Sequence, residues 1–176
     1  MNAVRQTLLS MLEIALRWHV AFALFVYGFA KTVQFTPSAT IGDPVNSLSG
    51  QELMWAFYGY SLGYAKFLGV VEMLGATLLL FRRTMLLGCL IITTVLVNVI
   101  TQDIVFGVLE GALRAAILYQ VLTLFILLLN REQVLRVWLS FTGPTERTAT
   151  LPWYWIITGA LILFITTTML ERFITH

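Results

Sequence analysis

Five stretches of roughly 20 predominantly apolar residues, each long enough to cross the hydrocarbon core of a bilayer, run through this chain of 176 residues. They lie at about 12–35, 62–81, 84–102, 111–129 and 152–170. The expected fold is all-α, a polytopic membrane helical bundle in which residues 1–176 form a single integral membrane domain. Composition agrees: 59% of residues are hydrophobic and 11% charged, against about 25% charged in a soluble domain. A chain so short of charge would show large apolar patches in water, which excludes both a soluble globular domain and a disordered one. The lipid bilayer is its first partner. A formal net charge of +2 with no Lys/Arg run gives nucleic acid no purchase.

Cys89 is the only cysteine, and with histidines only at 19 and 176 neither a disulfide, a redox Cys pair nor a recognisable metal site is expected. The first span carries Glu13, Arg17, His19 and Lys31, too polar and too long for a cleavable signal segment, so it is expected to remain in the mature protein. Arg5, Arg82, Arg83, Arg131, Arg136 and Arg147 collect on one side, whereas the other has only Arg172 beyond the spans. Excess positive charge marks the cytoplasmic side, which predicts a cytoplasmic N-terminus and an external C-terminus.

Two connections are too long for turns. In the outer one, residues 36–60, Pro37 and Pro44 break the chain, and Ser49-x-x-Glu52 reads as a capping box opening a short interfacial helix that covers the bundle's outer mouth. The inner one, residues 131–141, sets Val134, Leu135, Val137, Trp138 and Phe141 among charges, the pattern of an amphipathic surface helix ended by Gly143-Pro144. Trp153, Tyr154 and Trp155 mark the entry of the last span into the interface.

Polar groups inside a span are costly and are therefore functional candidates. At a rise of about 1.5 Å per residue, Lys31, Lys66 and Asn98 fall about 6 Å from the outer ends of spans 1, 2 and 3, and Arg114 about 5 Å inside span 4. Glu72 lies about 15 Å down span 2, near the midplane, where Gln120 of span 4 also arrives. A carboxyl at that depth cannot snorkel and must be paired, protonated or functional. Ser61, Ala65, Gly69, Glu72 and Ala76 form one stripe with Gly75 beside it, a face of small residues that suits close helix approach. Arg17 and Lys31, 14 residues apart, fall within about 40° of each other on span 1, with Ala21 and Gly28 on that side. The plain alternative is that Lys31, Lys66, Glu72, Asp103, Glu110 and Arg114 merely neutralise one another, or that the lysines snorkel to the outer interface. His19 reads as a packed or interfacial histidine, because paired haem ligation needs a second intramembrane histidine.

Arg17 with Tyr27-Gly28-x-x-Lys31, and Gly69-x-x-Glu72-x-x-Gly75 followed by Leu78-Leu79, resemble the first two helices of the DoxX and DoxX-like family of small bacterial membrane proteins. Trp55 to Ser61 also resembles a subset of that family. The resemblance covers about residues 12–129 and implies a four-helix core in a bacterial inner membrane, to which the long outer loop and the fifth, C-terminal transmembrane helix are additions. It also implies a neighbourhood of thiosulfate:quinone oxidation and membrane-bound oxidoreductase complexes.

Three readings remain open. In the first, the protein is a quinone- or redox-associated subunit. Tyr27, Lys31, Lys66, Asn98, Arg114 and Gln120 bind a head group, Glu72 relays a proton, and Arg17, Gly28, Gly69 and Gly75 are structural. No flavin, haem or iron–sulfur motif and no self-contained catalytic motif is present, so the electrons must come from a redox partner protein. In the second, the same outer pocket serves a small-molecule or lipid carrier. In the third, the fifth helix, with Gly159, Ala160 and the hydroxyls of Thr158, Thr166, Thr167 and Thr168, packs on a partner or a second copy as an assembly element.

Overall fold

The structure, a computed structural model, describes residues 2–40, 42–143 and 152–175. Pro144, Arg147 and His176, read above as a helix stop, an inner charge and a terminal histidine, lie outside the described residues. Among the described residues every long element is a helix: α1 (Asn2–Ala30), α2 (Gly50–Tyr60), α3 (Leu62–Leu80), α4 (Met85–Val105), α5 (Glu110–Leu129), α6 (Arg131–Thr142) and α7 (Trp153–Thr175). Five of them, α1, α3, α4, α5 and α7, are long and apolar enough to cross a membrane, so this is a multi-pass membrane protein.

The helix limits differ from the hydropathy limits for local reasons. α1 begins at Asn2 rather than near residue 12, because residues 2–11 contain neither Gly nor Pro and a helix need not stop where its apolar character does. It ends at Ala30 rather than 35: Thr32 N–H bonds the Phe29 carbonyl, tightening the chain into turns that lead to Thr36–Thr40 and Pro37. α7 runs on to Thr175 through Glu171 and Arg172, good helix formers outside the apolar run.

The chain divides into two compact units, Met1–Trp138 and Leu139–His176. In the first, α1, α3, α4 and α5 pack in a ring, each against the next, with α1 closing on α5. Its core joins Val20 and Leu24 of α1, Ala76 and Leu79 of α3, Met85, Cys89 and Ile92 of α4, and Ala116 and Ile126 of α5. Lipid is as apolar as these side chains, so close backbone approach must supply much of the packing. A Cβ added at Gly28 would stand 2.7 Å from the Gly69 carbonyl oxygen, and one at Gly69 would strike the Gly28 carbonyl in turn. α1 and α3 therefore cross glycine on glycine. Along α3 the expected stripe is buried at Ala65, Gly69, Glu72 and Ala76, together with Gly75, which meets Ile91 and Ile92 of α4.

The expected capping box opens α2: Ser49 Oγ accepts from the Glu52 N–H, and Glu52 Oε2 accepts from the Ser49 N–H at 2.8 Å. Hydrogen bonds from Ser49 hold the Glu52 carboxyl below its ordinary value. α2 lies over one end of the ring, with Met54 and Tyr58 buried against Phe35 and Ala65. That end is called the lid end below.

α6 alternates charge and bulk as an amphipathic helix does. In α7 the hydroxyls of Thr158, Thr166, Thr167 and Thr168 bond carbonyls of their own helix, so these donors are satisfied within it rather than held out to a neighbour.

Candidate ligand cavity

A charge stands about one turn beyond each glycine of the crossing: Lys31, just past the end of α1, follows Gly28, and Glu72 of α3 follows Gly69. The crossing sets these two side chains face to face, and Lys31 Nζ donates to Glu72 Oε1 at 2.7 Å. Glu72 is 3% exposed, and its second oxygen is buried without a hydrogen-bond partner. Burying an ion pair with one oxygen unsatisfied costs stability, which marks this place as more than packing.

Beside the pair lies a cavity of about 590 Å³. α1 and the turn after it contribute Tyr27, Lys31 and Phe35; α2 contributes Trp55 and Tyr58; α3 contributes Tyr64, Phe67 and Glu72. α4 supplies a polar edge of Thr94, Asn98, Gln102 and Asp103, and α5 adds Ala112, Ala116 and Tyr119. The α2 lid is tied to this edge: Tyr58 donates to Gln102 Oε1 at 2.7 Å, and Gln102 Nε2 donates to Asn98 Oδ1 at 3.0 Å. Burial pushes the Tyr58 phenol above its ordinary value. Phe35 stacks on Tyr58 with ring centroids 4.8 Å apart and meets Trp55 edge-on at 5.9 Å. The Trp55 Nε1 donor is buried without a partner.

Of the site residues read from sequence, Tyr27, Lys31, Glu72 and Asn98 come together here. Three do not. Lys66 is exposed on α3, one residue past buried Ala65 and so turned about 100° away from the stripe. Arg114 pairs with Glu110 one turn earlier on α5, and its side chain is 77% exposed. Gln120 faces α4 instead, where Nε2 reaches Thr93 Oγ1 at 3.5 Å and Oε1 is buried unpartnered. His19 is exposed and sets its ring 6.1 Å from that of Tyr119.

Arg17 belongs to the opposite end. Its Nε donates to the Leu79 carbonyl at 2.8 Å and Nη2 to the Leu80 carbonyl, so a cation caps the C-terminal end of α3. Glu13 accepts from Arg17 at 3.4 Å and from Asn130 Nδ2 at 3.3 Å, which joins α1, α3 and the end of α5.

Several lining residues were not read as site residues from the sequence, among them Trp55, Tyr58, Tyr64, Gln102 and Asp103, the last taken only as a charge that a neighbour neutralises. Asp103 is 6% exposed and lines the cavity, yet among the described residues no donor hydrogen-bonds its carboxylate. It stands in the last turn of α4, where Gly107 at φ 62° turns the chain and Val108 N–H closes on the Asp103 carbonyl at 3.0 Å. A helix C-terminus favours a cation, so a carboxylate there breaks the local rule, and that was the available signal.

Among the described residues no group of three His, Cys, Asp or Glu side chains gathers to hold a metal ion. No protein-family model matches the chain, and no solved structure matches it. A similar protein is "Uncharacterized protein YwoB" of Bacillus subtilis (strain 168), 30% identical over 138 residues, which take in 76% of this chain and 86% of that one. With that identity held over most of both chains, the protein belongs to the same family as Bacillus subtilis YwoB.

Proposed function

We propose that this is a DoxX-like protein of the bacterial inner membrane that binds a quinone head group in the lid-end cavity, as the membrane subunit of a redox-active assembly. The observation that carries the reading is the buried Lys31–Glu72 pair in the wall of a largely apolar cavity to which seven aromatic side chains contribute. A quinone supplies two-electron, two-proton chemistry. Toward it, the Lys31 ammonium offers N–H groups and positive charge where negative charge develops on a carbonyl oxygen, and Glu72 offers a carboxyl that holds or releases a proton.

The route of entry fits a membrane-dissolved ligand. Tyr64 and Phe67 line the cavity and are also 45% and 60% exposed on the outer surface of a membrane helix. Such a ligand reaches the site from the bilayer without crossing water. Electrons come from a partner protein, and the arginines at the end of the bundle opposite the lid support a cytoplasmic N-terminus with the lid outside.

The test is lipid extraction and mass spectrometry of the gently purified protein, with its ultraviolet–visible spectrum, for wild type, Lys31→Met and Glu72→Gln. Stoichiometric quinone in wild type and its loss from both variants is the expected result. A different molecule lost in the same way would replace the redox reading with that of a small-molecule or lipid carrier. No retained molecule in any sample would overturn both.

A further inference from the structure

Most polar groups around the cavity already have partners. Lys31 is held by Glu72, the Tyr58 hydroxyl by Gln102, and the Gln102 amide by Asn98. Among the described residues the Asp103 carboxylate accepts from no donor, and the residue, 6% exposed, lines the open space. Charge is unbalanced in the same direction: among the described residues Lys31 is the one Lys or Arg in the lining, it is hydrogen-bonded to Glu72 while also attracting Asp103, and the lining therefore holds one more carboxylate than it has cations. The carbonyl end of α4 adds partial negative charge around it. A carboxylate only accepts hydrogen bonds, so whatever is seated against Asp103 must donate one and must not be an anion.

Resting on the quinone reading above, we propose that the cavity recognises the reduced, hydroxylated ring in preference to the oxidised dione, with Asp103 as the residue that distinguishes them. A quinol hydroxyl donates to the Asp103 carboxylate. A dione presents only oxygen lone pairs, which the carboxylate repels, so the same seat is left with a buried charge unsatisfied. The discrimination is that of one hydrogen bond to a charged acceptor, about tenfold or more in affinity. The unpartnered Trp55 Nε1 can donate to an oxygen of either form, whereas Asp103, like the free Glu72 oxygen, only accepts, so the preference is set on the acceptor side and Asp103 is the residue that tests it.

The test is equilibrium dialysis of the full chain in lipid nanodiscs against a decyl-substituted benzoquinol, kept reduced under anaerobic conditions, and against the matching benzoquinone in air. Wild type should bind the quinol about tenfold more tightly. In Asp103→Asn, whose amide both donates and accepts, the ratio should fall to about one as the dione gains a donor. Decylammonium is the third probe, because a protonated amine also satisfies a lone carboxylate. Equal affinity for the two ring forms in wild type overturns the inference and leaves the proposed function standing. Tighter binding of decylammonium than of the quinol overturns the assignment of the donor to a ring hydroxyl. Binding of neither ring form overturns the inference and the quinone reading together. If Asp103→Asn fails to fold, the wild-type ratio still decides.

Discussion

The two ends of the four-helix ring bury polar side chains in opposite ways. Away from the lid, Arg17 spends its guanidinium on the last carbonyls of α3 and on Glu13, and Glu13 also accepts from Asn130. That set closes on itself and ties three helices. At the lid end, among the described residues, Glu72 and Trp55 keep buried atoms without partners, Asp103 accepts from no donor, and open space lies between them. Satisfied buried networks fix a structure, whereas unsatisfied ones cost stability and persist where something else depends on them. The contrast separates side chains that hold the helices together from those available to a ligand.

The contrast can be broken most severely at the point both ends share. Gly69→Val forces a side chain into the Gly28 carbonyl, so α1 and α3 must separate; folded, monodisperse protein should be lost by size-exclusion chromatography, a cost of about 3 kcal/mol or more. Arg17→Ala should come next. It leaves two helix-end carbonyls and Glu13 unpaired, and it should lower stability by about 3 kcal/mol in thermal unfolding while leaving any ligand preference unchanged. If Arg17→Ala instead abolished binding at unchanged stability, the division between the two ends would be wrong.

Lys31→Met strands the Glu72 carboxylate and should destabilise by about 3 kcal/mol; adding Glu72→Gln should recover most of that, because a neutral pair no longer buries a lone charge. Tyr58→Phe removes one lid bond to Gln102 and should cost about 1 kcal/mol. The smallest effect is in pH. The Glu52 value is lowered in the folded protein, so its contribution to the α2 cap is present above its ordinary value of 4.5 and is lost as pH falls through the folded value. Ser49→Ala should remove that pH dependence, read as lid protection by hydrogen exchange between pH 6 and 3.

Much of this architecture was legible in the residues. Hydropathy located all five apolar helices, the spacing of Ser49 and Glu52 marked the start of α2, and the small-residue stripe placed Glu72 inside. What failed was azimuth. Depth along a helix follows from counting residues, but the direction a side chain takes is set by neighbours that hydropathy does not contain. Lys66 has the right depth and the wrong face, and Arg114 finds Glu110 on its own helix before it can reach the cavity. Asp103 was read only as a charge that a neighbour neutralises, because near a helix end a charge looks like a solvated boundary; it is buried instead.

If the Lys31–Glu72 pair serves a ligand more than the fold, removing both charges together in the Lys31→Met/Glu72→Gln double variant should cost binding and spare stability. Native mass spectrometry of wild type and the double variant, with thermal unfolding of both, gives the two numbers required. The expected result is one retained small molecule per wild-type chain, none in the double variant, and an unfolding temperature within a few degrees of wild type. A double variant that keeps the molecule, or that no longer folds, would contradict it.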